Sequence, residues 1–325
     1  MSARRTIGVD LGGTKLLAGA VDPRLGVHHR VHRSVSGLNQ RALLDLCVEA
    51  VSEARDSAGA EVAAVGFGLP ALIDRTTGKV AAGVHTPLAD LAFADVMTER
   101  LGVPVFVDND GNASALAEHR AGAARGVDDA VVLTLGTGIG GGLILDGRLY
   151  RGARGGAGEL GHMEIDFDGP ACSDNCPGRG CAEIYVSGTA LVREATRVGR
   201  ERPDSGLGRA LTAGRTLAGP LVTELAHDGD PAAREVVELL GERLGVVITS
   251  LANIFNPQMI VVGGGVVAAG ELLLEPARAV VRERTLPYFG RSLRIVAARF
   301  GIEAGMVGAA ALAYEGLAQL EEMVG

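Results

Sequence analysis

The sequence predicts an α/β protein of two domains, and three observations support that prediction. The chain has 325 residues, 47% of them hydrophobic, which is enough for two separate cores. Short apolar runs typical of buried strands alternate with longer segments whose apolar residues recur at helical spacing. Several of the strand-like runs end directly in glycine or in polar residues, as strands of α/β sheets do where ligands bind.

Composition argues against several other classes of protein. The formal net charge of −8 does not suit a nucleic-acid-binding surface. No apolar run is long enough to span a membrane, and the N-terminal segment enters a strand without an apolar signal core. We therefore expect a cytoplasmic protein that binds neither nucleic acid nor membrane. Aromatic residues make up only 3% of the chain, so the cores must consist mainly of Val, Leu, Ile and Ala.

The first predicted strand, 6–10, leads into a glycine turn at 12–15, and a second strand follows at 16–21. The turn consists of Gly12, Gly13, Thr14 and Lys15. Two glycines let the backbone approach an anion, while the hydroxyl, the ammonium and free N–H groups can hold phosphate. Asp10, at the end of the strand, could bind a magnesium ion or its water. An ordinary hairpin with a glycine turn explains the same residues. The polar alternation of 28–35 predicts an edge strand.

Further along, apolar spacing predicts helices over 40–55, 88–101 and 113–123, and strands over 62–68 and 103–107. The polar cluster DNDGN at 108–112 follows the second of these strands, where α/β sheets place ligands. Asp110 is the candidate general base, and Asn109 is a candidate amide for orienting a substrate. The alternative is that Asp108 or Asp110 only caps the following helix.

A second glycine segment, 136–142, follows a predicted strand at 130–135. Its glycines match the dinucleotide pattern G-x-G-x-x-G, but that pattern should open a helix. Here an apolar strand and an Asp-Gly turn follow, so we predict a phosphate-binding hairpin that uses Thr137, Gly138 and Gly140. A third glycine turn follows the strand predicted over 258–262. There Gly264 and Gly265 would leave bare backbone against an adenine or a ribose.

The remaining pattern predicts a helix over 184–198, a polar linker over 200–214, a long helix after Asp230-Pro231, and a final helix from 305. Cys47 fits the apolar face of the helix at 40–55 and is interpreted as a core residue.

Four residues between 162 and 181 have the composition of a structural zinc site. His162, Cys172, Cys176 and Cys181 form a Cys3His set, and the loop that carries them is rich in glycine and proline. A disulfide with a spare thiol, or three unrelated small residues, are the alternatives. Glu159, His162 and Glu183 bracket this loop. Carboxylates and an imidazole held in this way suit a ligand with many hydroxyl groups, although solvated loop charges remain the alternative for the two glutamates.

With these motifs in view, the sequence resembles the ROK family of sugar kinases, within the actin-like ATPase superfamily. The resemblance covers almost the whole chain and is most specific in four motifs. They are DLGGTK at 10–15, DNDGNA at 108–113, the run from LGTGIGGG at 135–142 to GELGH at 158–162, and GCAE at 180–183.

The resemblance implies two actin-like ATPase (ribonuclease H-like) domains with a sugar cleft between them. Residues 1–112 with 305–325 would form the smaller domain, and 113–304 the larger one with the zinc loop. The resemblance also implies a homodimer or homotetramer. Family members commonly place the first two cysteines one residue apart, whereas three residues separate Cys172 from Cys176. Ala71 stands where many relatives have a glycine.

Site roles follow from the same resemblance. Asp110 would deprotonate the sugar hydroxyl, and Asn109, Glu159, His162 and Glu183 would hold the sugar. His162 and the three cysteines would bind structural zinc. Asp10 and the glycine turns would bind ATP with magnesium.

The expected function is ATP-dependent phosphorylation of a hexose, with glucose as the first candidate and glucose 6-phosphate as the product. Fructokinase and N-acylmannosamine kinase are the alternatives in the same family, and polyphosphate is an alternative donor. A sugar-responsive regulator is less well supported because such relatives carry an N-terminal helix-turn-helix, whereas here the first strand begins about five residues in. An NAD-dependent dehydrogenase using the glycines at 136–141 is a further alternative.

Overall fold

The computed structural model describes residues 4–83, 86–172, 176–288 and 292–324. The α/β class predicted from the sequence is confirmed, and the chain divides into two compact units. The first unit consists of Met1–Gly126, Gly142–Gly158 and Ile302–Gly325, and the second of Val127–Gly141 and Glu159–Gly301.

The strands are β1 Arg5–Leu11, β2 Lys15–Val21, β3 Val27–Ser34, β4 Val62–Leu69, β5 Ala71–Asp74, β6 Lys79–Gly83, β7 Ala89–Leu91, β8 Val105–Asn109, β9 Ala130–Leu135, β10 Ile139–Leu145, β11 Arg148–Tyr150, β12 Met259–Gly263 and β13 Arg294–Ala297. The helices are α1 Gln40–Asp56, α2 Phe93–Leu101, α3 Asp110–Ala121, α4 Ala182–Val186, α5 Gly188–Glu201, α6 Gly206–Thr212, α7 Gly219–His227, α8 Pro231–Phe255, α9 Glu271–Arg284 and α10 Ala304–Val324. Within the described residues, no helix combines the length and the apolar character needed to cross a bilayer.

The first unit is built on a five-stranded sheet with the order β3-β2-β1-β4-β8. Strands β1 and β2 form the predicted glycine hairpin, and β3 lies at the edge, as its polar alternation predicted. Strands β1, β4 and β8 are parallel, and Asp10 pairs with Gly68, which in turn pairs with Asp108. Because the register aligns these three positions, the polar residues that follow the strands lie along one edge of the sheet.

Helix α1 covers this sheet with the apolar stripe read from its sequence. Its buried residues recur at helical spacing and are Leu43, Leu44, Cys47, Ala50, Val51 and Ala54. Cys47 is fully buried in the core, as predicted. The side chain of Asn39 caps the helix by accepting a hydrogen bond from the backbone N–H of Ala42, at 2.9 Å. The predicted bounds of this helix, 40–55, agree with the observed ones to within one residue.

Helix α10 approaches the same sheet unusually closely, because glycine occupies the contact positions. A Cβ atom on Gly66 of β4 would lie 1.7 Å from the carbonyl oxygen of Ala309, and one on Gly8 would lie 1.9 Å from that of Met306. Gly308 makes a similar approach to α3, where a Cβ would lie 1.7 Å from the carbonyl oxygen of Ala113. No side chain larger than hydrogen fits at these positions without moving the backbone.

The second five-stranded sheet has the order β11-β10-β9-β12-β13. In the second unit, β12 is parallel to both β9 and β13. Helix α8 begins as the sequence predicted, with Asp230 as N-cap and Pro231 as the first helical residue, and it buries a wide apolar stripe. Its left-handed C-cap is Asn256.

Several element predictions were wrong. The segment 88–101 is not one helix, because Ala89–Leu91 forms the last strand of a small antiparallel sheet, β5-β6-β7, and α2 begins only at Phe93. That sheet was missed, since its strands are only three to five residues long. The segment 200–214 is not a linker. Ser205 caps a helix there, α6, by accepting a hydrogen bond from Gly208.

Other boundaries shifted. The helix predicted over 184–198 is split in two, because Ser187 ends α4 in an extended conformation and caps α5. Strand β8 begins and ends two residues later than predicted, and α3 begins three residues earlier. The two errors have one cause. The prediction placed the DNDGN cluster between the strand and the helix, whereas its first two residues end β8 and its last three begin α3.

We predict that Gly66→Ala destabilises the protein by about 2–3 kcal/mol, because the new methyl group must displace the backbone of α10. Gly78→Ala is the comparison in the same unit. Gly78 has open space around it but a φ of 70°, so the cost there is only backbone strain of about 1 kcal/mol. Urea unfolding of the two variants measures the difference. A larger loss for Gly78→Ala would contradict the close packing of α10.

Candidate active site

Two elements of the first unit, β1 and α3, bring carboxylates together at the edge of the sheet. Asp10 lies at the end of β1, and Asp110 is the first residue of α3. Gly68 of β4 lies beside α3, since a Cβ there would be 3.4 Å from the Cα of Asp110. A Cβ on Gly305, in the first turn of α10, would lie 2.4 Å from the carboxyl carbon of Asp10. The two candidate carboxylates therefore belong to one compact site.

The start of α3 settles which residue of the DNDGN cluster caps the helix. The N-cap is Asn109, whose side-chain oxygen accepts hydrogen bonds from the backbone N–H groups of Gly111 and Asn112, at 2.8 and 3.2 Å. Its amide nitrogen donates to the carbonyl oxygen of Ala71, at 3.4 Å. The alternative that Asp108 or Asp110 is the cap was wrong. Asp110 is partly exposed in the first turn, where the positive end of the helix dipole favours a carboxylate.

Asp10 has a strongly perturbed acidity. Burial, together with the neighbouring charge of Asp110, raises the pKa of the Asp10 carboxyl from 3.8 to about 7. Two carboxylates at one partly desolvated edge form a site that either retains a proton or attracts a cation. Perturbed carboxyls of this kind are more common at functional sites than elsewhere.

The glycine turn at 12–15 closes the hairpin next to Asp10. The backbone N–H of Gly12 donates to the carbonyl oxygen of Lys15 at 2.8 Å, and the carbonyl oxygen of Thr14 accepts from Val35. The side chains of Thr14 and Lys15 are exposed at the tip. The turn thus presents a hydroxyl and an ammonium to solvent, as a phosphate site would require.

In the second unit, the other two glycine turns lie side by side. Strands β9 and β12 are parallel neighbours, and Gly263 pairs with Thr134, so the turns that follow both strands lie at the same edge. Gly264 has a φ of 83°, and a Cβ on it would lie 2.4 Å from the carbonyl oxygen of Leu135. Strand β10 follows the turn at 136–138. The helix that a dinucleotide site requires after its glycines is therefore absent from this described segment.

Hydrogen bonds from two helices hold the turn at 136–138. The carboxylate of Glu183 on α4 accepts a hydrogen bond from the backbone N–H of Ile139, at 2.8 Å. At the start of α5, Gly188 donates its N–H to the carbonyl oxygen of Gly136 at 2.8 Å, and the Thr189 hydroxyl donates to that of Thr137 at 2.8 Å. Sequence reasoning missed Thr189, and no motif marks it. Glu183 therefore belongs to the glycine turn as well as to the loop of cysteines.

The four predicted zinc ligands converge. One ligand atom from each of His162, Cys172, Cys176 and Cys181 lies within 4.8 Å of the other three. Cys176 Sγ and Cys181 Sγ are 3.9 Å apart, and Cys172 Sγ lies 3.6 Å from His162 Nδ1. A tetrahedral zinc with Zn–S bonds of about 2.3 Å separates two sulfur ligands by about 3.8 Å, whereas a disulfide S–S bond measures about 2.05 Å. The residues fit a metal and do not fit a disulfide.

Electrostatics support the same interpretation. Burial, followed by hydrogen bonds and charge interactions with Cys172 and Cys176, raises the pKa of the Cys181 thiol to about 12. A thiol whose pKa is raised this far stays protonated near neutral pH unless a cation binds beside it. Cys181 is also the N-cap residue of α4, so the cluster lies one turn from Glu183. Glu159 is exposed immediately before the short turn that carries His162.

Comparisons with known proteins identify related chains over nearly the full length. The sequence profile of the ROK family matches residues 6–315. A glucokinase of Streptomyces coelicolor is 35% identical over 316 residues, which cover 95% of this chain and 98% of that protein. The crystal structure of a ROK family glucokinase from Streptomyces griseus in complex with glucose and AMPPNP is 36% identical, with a TM-score of 0.87, covering 96% of this chain and 100% of that one. This match confirms the predicted fold class.

A regulator is also among the relatives. A xylose repressor of Bacillus spizizenii is 28% identical over 323 residues, which cover 98% of this chain and 79% of the repressor.

We predict that Asp10→Asn stabilises the protein at pH 8 in magnesium-free buffer. In the folded state the pKa of Asp10 is about 7, above its ordinary 3.8, so the folded protein binds the proton more tightly. The contribution of Asp10 to wild-type stability must then fall as the pH rises from about 4 to about 7, while the neutral amide avoids that loss. Thermal unfolding from pH 4 to 8 should show a gain for Asp10→Asn that grows with pH. Parallel curves for the two proteins would contradict the raised pKa.

Proposed function

Because this chain belongs to the ROK family, we propose that it transfers the γ-phosphoryl group of ATP to a hexose, and that the hexose is glucose. The observation that carries the proposal is the similarity over almost the entire chain to a glucokinase crystallised with glucose and AMPPNP. The pair of carboxyls at the sheet edge and the glycine turns supply the groups that such a transfer needs. Glucose 6-phosphate is the proposed product.

Asp110 is the proposed general base. Its carboxylate is held at the first residue of α3, where Oδ1 accepts a hydrogen bond from the N–H of Gly111 at 2.9 Å. From there it would take the proton of the sugar hydroxyl as that oxygen attacks the phosphorus. A positioned base of this kind contributes about 10²–10⁴-fold to a rate. The proposed sugar ligands are Asn109, Glu159, His162 and Glu183, whose amide, carboxylate and imidazole groups suit hydroxyl recognition.

The nucleotide is assigned to the glycine turns. Gly12, Gly13, Thr14 and Lys15, with Thr137, Gly138 and Gly140, would hold phosphate oxygens through backbone N–H groups and side chains. Gly264 and Gly265 would leave room for the adenosine. Magnesium, when bound with ATP, supplies charge neutralisation of the phosphates, and Asp10 is the proposed ligand for the ion or its water. The raised pKa of Asp10 fits a carboxyl whose charge is stabilised only when a cation is present.

His162, Cys172, Cys176 and Cys181 are proposed to hold one structural zinc ion, since their spacing fits a tetrahedral site. Zinc would supply rigidity to a loop that offers few apolar side chains for packing. Thiolate ligands and ATP both suit a cytoplasmic location, and a homodimer or homotetramer is proposed from the family.

Two questions of specificity belong to the same proposal. Fructose and N-acetylmannosamine are the alternative acceptors, and polyphosphate is the alternative donor. A regulatory role is the second candidate function, and the similarity to the xylose repressor favours it. Turnover of ATP with a panel of hexoses separates an enzyme from a regulator, because a regulator would bind sugar without releasing ADP.

Asp110→Asn is expected to lower kcat for glucose phosphorylation by about 10²–10⁴-fold, because the amide cannot accept the hydroxyl proton. A coupled assay for ADP with ATP and glucose measures it. Asp95→Asn makes the same change in the first turn of another helix of the first unit, at an exposed position, and should keep full activity. Turnover within about threefold of wild type in Asp110→Asn would remove Asp110 from its role.

The purified protein should contain about one zinc ion per chain by elemental analysis. Cys172→Ala should lose the ion and unfold at a temperature lower by more than about 5 °C, because an incomplete ligand set cannot hold zinc in place. Cys47→Ala removes a cysteine from the core of α1 and should retain zinc. Full zinc content in Cys172→Ala would show that this cysteine is not a ligand.

A further inference from the structure

A buried ion pair lies directly beneath the first turn of α3. The side chain of Arg151, which follows β11, donates from Nε to Oδ2 of Asp108 at 2.5 Å. The two side chains are only 20% and 8% exposed. Neither residue is among the groups assigned above to the sugar, the nucleotide or zinc.

Asp108 also forms hydrogen bonds with residues on both sides of Asp110 in the sequence. Its second oxygen, Oδ1, accepts hydrogen bonds from the backbone N–H of Asn109 and from the side-chain Nδ2 of Asn112, each at 2.8 Å. Asn112 is completely buried. The residue before Asp110 and the residue two positions after it are therefore tied to one carboxylate, and Arg151 holds that carboxylate in place.

The positive charge of Arg151 lies at an edge of the sheet where several negative groups meet. Asp10, Asp108 and Asp110 bring three carboxyls to it, and Asp108 is the most buried of them. A buried carboxylate without a charged partner is strongly unfavourable and either takes up a proton or changes its position. Protonation would weaken the hydrogen bonds that Asn109 and Asn112 donate to Asp108, and a change of position would break them, so that the first turn of α3 could move.

We propose that Arg151 is a positioning residue for Asp110: by neutralising and orienting Asp108, it fixes the direction of the general base. This inference rests on the proposed function, because Asp110 must act as a base for the positioning to affect turnover. A misplacement of about 1 Å at a reacting group can reduce a rate by about 10²-fold, so the effect should be large in kcat.

The rival explanation is that Arg151 only anchors the glycine-rich loop 151–158. The same loop provides a matched control for that explanation. Arg154 forms an ion pair with the buried Asp74, and its carbonyl oxygen accepts a hydrogen bond from the N–H of Arg75 at 3.1 Å. This second anchor is also a guanidinium–carboxylate pair and lies three residues further along, with the Arg154 side chain 73% exposed. Its carboxylate accepts hydrogen bonds from the backbone N–H and the hydroxyl of Thr76, on the loop after β5, and not from the residues around Asp110.

The test compares Arg151→Met with Arg154→Met in the full chain, using ATP and the hexose turned over fastest. Arg151→Met should lower kcat by about 10–100-fold and leave the KM of both substrates within about threefold. Arg154→Met should lower the unfolding temperature and leave kcat within about twofold. Equal losses of kcat in the two variants, or a change confined to KM, would overturn the proposal.

A double variant keeps the proposal testable if Arg151→Met folds poorly. In Arg151→Met with Asp108→Asn, the buried charge is gone, while the side-chain oxygen of residue 108 can still accept from Asn109 and Asn112. It should recover at least about fivefold in kcat over Arg151→Met. Absence of recovery would overturn the role of charge.

Hydrogen exchange separates this inference from the proposed function. The N–H groups of Gly111 and Asn112 should exchange at least about tenfold faster in Arg151→Met than in wild type, and at the wild-type rate in Arg154→Met. If wild type phosphorylates no hexose, the proposed function fails, and this exchange comparison still decides whether Arg151 holds the first turn of α3. Unchanged exchange in Arg151→Met would reject it.

Discussion

The close contact of α10 with the first sheet is the constraint on which the first unit depends. Gly8 and Gly66 let the helix backbone lie against β1 and β4, and Gly308 lets it lie against α3. Interiors are packed too densely to absorb a methyl group at such positions. Because α10 begins at this contact, Gly305 comes to lie beside the carboxyl of Asp10. The packing that stabilises the unit thus also covers one side of the Asp10 carboxyl.

The position of Asp10 beneath α10 explains why the pKa of its carboxyl is raised. Removing water from Asp10 makes its charge costly, and the nearby Asp110 increases the cost, so the pKa rises to about 7. Asp108 is more fully buried than Asp10, but it has Arg151 as a partner. Two acids at one edge therefore differ in chemistry because one is neutralised by a guanidinium and the other is left to bind a proton or a cation.

In the second unit, the loop that carries His162 and the three cysteines converges on these four residues and has little apolar packing of its own. This loop is polar and rich in glycine, so side-chain packing cannot hold it alone. Cys181 begins α4, and Glu183 on that helix holds the backbone of Ile139 after the glycine turn. The same short helix therefore connects the cluster to the backbone that is proposed to bind phosphate.

Much of this could be predicted from sequence, because the signals are local. Apolar periodicity located α1 and α8, glycine after apolar runs located the turns, and ligand type and spacing located the Cys3His set. Short strands with little periodicity, such as β5 to β7, were missed. Three further features could be seen only in the tertiary structure. They are the N-cap role of Asn109 at α3, the ion pair of Arg151 with Asp108, and the close contact of α10 with Gly66. The last two features join residues that are distant in the chain, and the first depends on which of three neighbouring polar residues caps the helix. Local sequence patterns carry no information on either, because both depend on how the chain packs.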